Sequence, residues 1–120
     1  MKRDMELIRK ILLVIEEQYI DVALYNIEVD GYDLKTVAYH CKILYDVGFI
    51  DDYGGSYGDN ELQNFGVGSL TWEGHEFLDA ARDDKRWKNA MSTVKEKGGA
   101  ITIDILKQLL IQLMKNAFLG

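Results

Sequence analysis

The sequence predicts a small α+β fold with one core, and three observations support this prediction. The chain of 120 residues is long enough for one domain and too short for two ordinary ones. Several stretches place apolar residues at helical steps, and a glycine-rich segment between residues 49 and 71 interrupts them with short strand-like runs. Hydrophobic residues make up 48% and charged residues 28%, a mixture typical of globular proteins. We expect residues 1–97 to form the domain and residues 98–120 to form an added C-terminal helix, docked on the domain or in a dimer interface.

The first half of the chain predicts a helix, a strand and a second helix. Residues 4–19 are predicted to form the first helix, because apolar side chains recur there at three- and four-residue steps: Met5, Ile8, Leu12, Ile15 and Tyr19. Apolar and acidic side chains then alternate over residues 26–30, which is typical of a short strand. Asp33 is a predicted N-cap for a helix over residues 34–47, and Gly48 is expected to end it.

The second half predicts two strands and three helices. The strands are expected near residues 49–53 and 65–71, joined by a loose glycine-rich loop. The stretch "SLTWEG" is interpreted as the corner where the second strand becomes a helix, with Thr71 as the cap and Gly74 allowing close approach. The predicted helices cover residues 72–82, 83–96 and 103–117.

The order helix, strand, helix, strand, strand, helix is that of a winged helix. Within it, "VAYHCKILYDVGFI" resembles the passage from recognition helix to wing (the two-stranded flap) in winged-helix transcriptional regulators. The matching residues are Val37, His40, Lys42, Leu44, Gly48 and Ile50. "LTWEGHEFL" likewise resembles the end of such a wing. The resemblance implies that the helix over residues 34–47 has an outward side that contacts a target.

The chain as a whole resembles an uncharacterised bacterial and prophage family, domain-of-unknown-function family 2513. The similarity rests on "MKRDMELIRKIL", "AYH", "GFI", "LTWEGHEFLDAARDD" and a final helix that follows Gly-Gly. The resemblance implies a winged-helix fold and frequent association with phages. It implies no particular activity.

Charge and cysteine content narrow the classes of function. The net charge is −6, so a polyanion would need a local basic patch to bind. One cysteine, Cys41, is compatible with the reducing cytoplasm and forms no internal disulfide. Acidic residues interrupt the apolar N-terminal stretch, and no run reaches the ~20 residues of a bilayer span. We therefore expect a cytoplasmic protein without a membrane segment.

The sequence offers little for catalysis, and we expect neither an enzyme nor a cofactor. His75, Glu76 and Asp79 imitate the His-Glu-x-x-His zinc helix, but an aspartate replaces its second histidine. Cys41 lies on the apolar arc of its helix, which predicts a buried thiol. The glycines of residues 54–68 are not followed by the Gly-Lys-Ser/Thr of a phosphate-binding loop.

Two binding functions remain. The first is regulator-like binding to double-stranded DNA, which the recognition-helix resemblance favours. The groove contacts would come from Lys35, Thr36, Tyr39, His40 and Lys42, and the phosphate contacts from Lys85, Arg86 and Lys88. The alternative is a protein-interaction module that keeps the fold without binding DNA. The charge distribution favours this alternative, because residues 21–60 carry two basic and eight acidic side chains.

The last predicted helix, with Thr102 as its N-cap, has more apolar surface than one core requires. Its apolar residues fill a much wider arc than the ~100° stripe of an ordinary amphipathic helix. We therefore expect a homodimer through Ile105, Leu109, Leu110, Leu113, Met114 and Phe118.

Overall fold

The computed structural model describes all residues from Met1 to Gly120. It is a mixed α+β structure with five helices and one three-stranded antiparallel sheet. The chain forms two compact units, residues 1–75 and residues 76–120. No helix combines the length and the apolar character that crossing a membrane would require.

The first unit begins with α1 (Met5–Gln18) and contains α2 (Leu34–Asp46), and the two helices pack against each other. Both agree closely with the predicted ranges, because their apolar periodicity and their caps are local signals. Asp4 and Asp33 cap them, each accepting a hydrogen bond from a backbone N–H three residues on. On α1 the buried side is wider than predicted, because Leu7 and Ile11 are buried as well.

The sheet consists of β1 (Leu24–Tyr25), β2 (Tyr53–Gly58) and β3 (Glu61–Val67), with β3 in the centre. β2 and β3 form a hairpin, and the register shifts between Ser56 and Tyr57. Asp59 and Asn60 make the turn, both with positive φ, as a two-residue hairpin turn of this kind requires. The prediction of a loose loop between strands at residues 49–53 and 65–71 was therefore wrong. Most of that segment is paired strand.

The first strand also differs from the prediction. It lies at Leu24–Tyr25, directly before the alternating run at residues 26–30. Asn26 ends it with φ +49°, and its side-chain oxygen accepts a hydrogen bond from the Phe65 backbone N–H at 2.9 Å. The following residues form an irregular loop and turn, so their alternation reflects one buried residue, Ile27, and not a strand.

The corner between the sheet and α3 (Trp72–Ala81) depends on Thr71 and Gly74. Thr71 donates its hydroxyl to the Gly48 carbonyl oxygen and accepts a hydrogen bond from the Gly74 N–H at 3.1 Å. A Cβ atom on Gly74 would lie 2.1 Å from the Phe49 carbonyl oxygen. The interpretation of this stretch as a structural corner agrees with these contacts.

The second unit contains α4 (Asp84–Glu96) and α5 (Ile103–Leu119), which pack against each other. Thr102 caps α5, as predicted, by accepting a hydrogen bond from the Ile105 N–H at 3.2 Å. Trp87, Ala90 and Val94 of α4 are buried. The boundary between the units falls within α3, whose last turns carry the buried Phe77 and Leu78.

Replacing Gly74 with alanine tests the corner. The added methyl group would overlap the Phe49 carbonyl oxygen, so the backbone must shift. We expect the free energy of unfolding to fall by about 1–3 kcal/mol, measured by urea denaturation. Gly54→Ala is the control, because nothing lies within 4 Å of a Cβ at Gly54. Equal stability of the two variants would contradict the close approach.

Candidate interaction surface

The exposed side of α2 carries Lys35, Tyr39 and Lys42. These residues are four and three positions apart, so they form one stripe along the helix. The opposite side buries Val37, Cys41 and Leu44, as the sequence predicted. Thr36 is half-buried at the start of the helix. The structure therefore gives α2 one inward and one outward side.

Both lysines of this stripe are paired with acids. The Lys35 ammonium lies 3.3 Å from the Glu61 carboxylate of β3, and the Lys42 ammonium lies 3.1 Å from the Asp46 carboxylate. All four side chains are more than half exposed, so each pair is weak and screened by salt. The pairs nevertheless offset the two positive charges of the stripe.

His40 does not lie on the exposed flank of the helix, which corrects the sequence prediction. Its side chain is fully buried. Its Nε2 atom accepts a hydrogen bond from the Asp4 backbone N–H at 2.9 Å, and Nδ1 lies 2.8 Å from the Thr36 carbonyl oxygen. A neutral ring with the proton on Nδ1 satisfies both contacts. His40 thus connects α2 to the start of α1 and is unavailable to a DNA groove.

Asp4 connects a third segment to this cluster. Its carboxylate caps α1 and also accepts a hydrogen bond from the Tyr32 hydroxyl at 2.7 Å. Burial by itself raises the pKa of Asp4, but the hydrogen bonds from Tyr32 and the Leu7 N–H outweigh it and hold the pKa below its ordinary value. The hydrogen bond to Asp4 raises the pKa of Tyr32. Asp4, Tyr32 and His40 together fix the position of α2 relative to α1.

A groove of about 260 Å³ separates α2 from the hairpin. Ala38 lies on the α2 side, and Tyr53, Tyr57 and Leu62 line the hairpin side. Lys35, Tyr39 and Lys42 are also among its lining residues, together with Met1 and Asn60. The lining therefore has two charged side chains, and both are lysines.

The hairpin side of the groove is aromatic because Gly55 leaves room for two tyrosines. A Cβ atom on Gly55 would lie 3.2 Å from the Tyr57 ring and 3.4 Å from the Tyr53 hydroxyl. The Tyr53 ring also stacks on Phe65, with 6.3 Å between the ring centroids. Burial, with a smaller contribution from Tyr57, raises the pKa of Tyr53.

The residues weighed for catalysis lie apart from this groove or are unreactive. Cys41 is fully buried, and burial raises the pKa of its thiol to about 12, so the thiolate is scarce at neutral pH. His75 and Glu76 are exposed on α3. No group of three or more His, Cys, Asp or Glu side chains is placed to hold a metal ion.

The basic residues of α4 belong to the second unit. Lys85 and Lys88 are exposed. Arg86 is half-buried, and its guanidinium donates to the Ala80 carbonyl oxygen at 3.0 Å. This contact satisfies a carbonyl in the last turn of α3, so Arg86 has a structural role.

The predicted interface residues of α5 differ in exposure. Leu110 is fully buried, like Leu106, so it belongs to the interior of the protein and not to an accessible surface; this corrects the prediction for Leu110. Leu109, Leu113 and Met114 are half-buried. Ile105 and Phe118 are exposed, Phe118 by 80%.

Sequence reasoning identified the stripe on α2 but missed the groove. Tyr57 and Leu62 lie in the segment interpreted as a loop, and Tyr53 is the last residue of the strand expected near residues 49–53. The spacing of the two tyrosines around glycines was the one available signal. Asp4 was predicted as the first residue of the helix over residues 4–19 and not as its N-cap, and its bond to Tyr32 joins residues that are distant in the chain.

The fold and this surface define a small α+β chain in which one helix and one hairpin form a common groove. Residues 2–100 match the family described as "Hypothetical protein (DUF2513)". An "Uncharacterized protein" of Haemophilus influenzae (strain ATCC 51907 / DSM 11121 / KW20 / Rd) is 39% identical over 114 residues, which are 91% of this chain and 92% of that protein. The chain belongs to the DUF2513 family. No solved structure matches it.

Replacing Tyr32 with phenylalanine tests the cluster at the start of α1. We expect the free energy of unfolding to fall by about 1 kcal/mol near neutral pH, because the hydroxyl no longer donates to Asp4. The folded pKa of Asp4 lies below the ordinary 3.8, so this contribution is present above pH 3.8 and is lost as pH falls through the folded pKa. The folded pKa of Tyr32 lies above the ordinary 10.0. The contribution is therefore fully present below pH 10.0 and is lost as pH rises through the folded pKa of Tyr32.

The measurement is urea denaturation of wild type and variant over a series of pH values. Tyr25→Phe is the control, because Tyr25 is 72% exposed. A difference between wild type and Tyr32→Phe that persists unchanged in strong acid would contradict the role of the Asp4 carboxylate.

Proposed function

We propose that this chain is a non-catalytic binding module with a winged-helix fold that docks a protein partner on the groove between α2 and the β2–β3 hairpin. The order α1, β1, α2, β2, β3 supports the fold, as does the pairing of β1 with β3. α2 takes the position of a recognition helix and the hairpin that of a wing. The irregular residues 26–33 stand where such a fold usually has another helix.

One observation carries the choice of a protein partner. The outward side of α2 holds two lysines, and each is paired with an acid. Residues 1–75, which contain this helix and the hairpin, carry six basic and fourteen acidic side chains, a net charge of −8. A duplex places one negative charge per ≈1.7 Å of its axis, so it meets repulsion from the whole unit. A protein partner does not carry this uniform charge.

Regulator-like binding to double-stranded DNA remains the second candidate. Lys35, Tyr39 and Lys42 lie on one exposed stripe beside a hairpin, which is the arrangement such binding uses. In the second unit, the exposed Lys85 and Lys88 would supply phosphate contacts. Residues 76–120 carry eight basic and six acidic side chains, a net charge of +2.

Binding of a random-sequence duplex separates the two candidates. We expect fluorescence anisotropy of a labelled duplex to show no binding to the full chain, even at low ionic strength. The opposite result would be an affinity for the duplex that falls steeply with added salt and is weaker in Lys42→Ala. It would overturn the protein-partner proposal in favour of DNA. Tyr19→Phe, which leaves the charge unchanged, serves as the matched control for Lys42→Ala.

A homodimer through α5 forms part of the proposal. Phe118 and Ile105 are exposed, and Leu109 and Ile105 line a groove of about 440 Å³ between α4 and α5 with Val94. A second copy of α5 would cover this apolar surface. The buried Leu106 and Leu110 stay in the interior of each copy.

Light scattering tests the dimer. We expect the mass of two chains for the wild type and of one chain for the double variant Leu113→Asp with Phe118→Asp, because two carboxylates would be buried unpaired in the interface. Asn116→Asp, at an exposed position, should remain a dimer. A wild-type mass of one chain at high protein concentration would remove the dimer from the proposal, and circular dichroism verifies that the variants are folded.

A further inference from the structure

We propose that the open edge of β2 binds an extended segment of a different protein, with a carboxylate side chain of that segment seated in the groove against Lys35 and Lys42. This inference rests on the proposed function and specifies the partner: a strand that extends the sheet, carrying an acidic residue. The contributing features are the unpaired edge, its composition, the groove and the charge of its lining.

The pairing of the sheet shows which backbone groups of β2 are open. The Asn26 N–H donates to the Phe65 carbonyl oxygen at 2.9 Å, so Phe65 directs its backbone groups toward β1. In a central antiparallel strand the direction alternates, so Asn64 and Gly66 direct theirs toward their β2 partners Ser56 and Gly54. The N–H and C=O groups of Tyr53 and Gly55 therefore point away from β3, toward the open edge.

The edge lacks two of the features that normally prevent strand addition. Its sequence, "YGGSYG", contains no charged residue and no proline. Residues 54–57 are exposed, and three of them are glycine or serine, so no large side chain blocks the approach of another backbone there. An added strand would gain main-chain hydrogen bonds, while side chains on one of its faces would enter the groove.

A second copy of β2 is a poor occupant of this edge. An antiparallel copy centred on Gly55 would bring Asp51 opposite Asp59 of the second copy at each end of the pair. Like charges directly opposite each other destabilise a sheet. These acids flank the strand at both ends, so the edge favours a partner strand from another protein.

The groove selects a carboxylate by charge complementarity. The charged residues of its lining are Lys35 and Lys42, and Tyr39 lies between them on the same stripe. Seven residues of helix span about 10.5 Å, close to three residues of an extended strand. One carboxylate between the lysines, or two that are two to four positions apart, would displace Glu61 and Asp46 as partners. A short segment contacts only the lysines and their immediate surroundings, whereas a duplex also meets the net charge of the whole unit.

The first test pans a displayed library of random decapeptides on the full chain and on the double variant Lys35→Glu with Lys42→Glu. We expect the wild type to enrich peptides with Asp or Glu among β-forming residues. The variant should lose these peptides or enrich basic ones. Lys95→Glu, an exposed change on α4, is the control and should behave as the wild type does. No enrichment on the wild type, or enrichment unchanged in the double variant, overturns the inference.

The second test uses synthetic copies of the selected peptides. Binding should slow hydrogen exchange at the Tyr53 and Gly55 amides, because these N–H groups become bonded to the added strand. Methylating alternate backbone nitrogens of the peptide should abolish binding, and replacing its Glu with Gln should weaken binding by about two- to fivefold. Binding that tolerates both sets of methylated nitrogens, or protection that appears elsewhere, overturns the inference.

Photo-crosslinking in cells from Tyr39, which is exposed on α2, tests the proposed function separately. Protein adducts without peptide capture at β2 would leave the proposed function standing and remove the strand-addition inference. Nucleic-acid adducts would overturn both.

Discussion

The structure depends on the buried ring of His40. One of its nitrogens accepts from the Asp4 backbone and the other lies against the Thr36 carbonyl, so a neutral ring satisfies polar groups on two helices. Leaving such buried groups unpaired costs on the order of 1–3 kcal/mol each. This constraint holds α2 against the start of α1. The rotation of α2 then follows, with Cys41 inward and Tyr39 outward.

The surface that results presents two lysines, each paired with an acid, within a unit of net negative charge. The groove presents Lys35 and Lys42, while the unit of residues 1–75 carries a net charge of −8. A long polyanion responds to the whole unit, whereas a short segment responds chiefly to charges within about a Debye length. The internal pairs with Glu61 and Asp46 reduce binding of stray anions, because an incoming carboxylate must replace an existing partner.

The helices were predictable almost to the residue, whereas the strands were not. Helical periodicity and N-caps such as Asp33 and Thr102 act within a few residues, so short-range sequence patterns predict them. In the hairpin, glycine and serine give no alternation to read. Its strands are defined by pairing across the Asp59–Asn60 turn, and the positive φ of both residues was not evident from the sequence.

The sequence by itself determined the helical segments, their caps, the distribution of charge and the resemblance to the family. These properties depend on composition and on neighbours in the chain. Only the tertiary structure decided that His40 and Leu110 are buried, that two tyrosines close over Gly55, and that β2 lies at an edge of the sheet. Each of these depends on contacts between distant residues, and such contacts arise from packing and strand pairing, which local patterns do not specify.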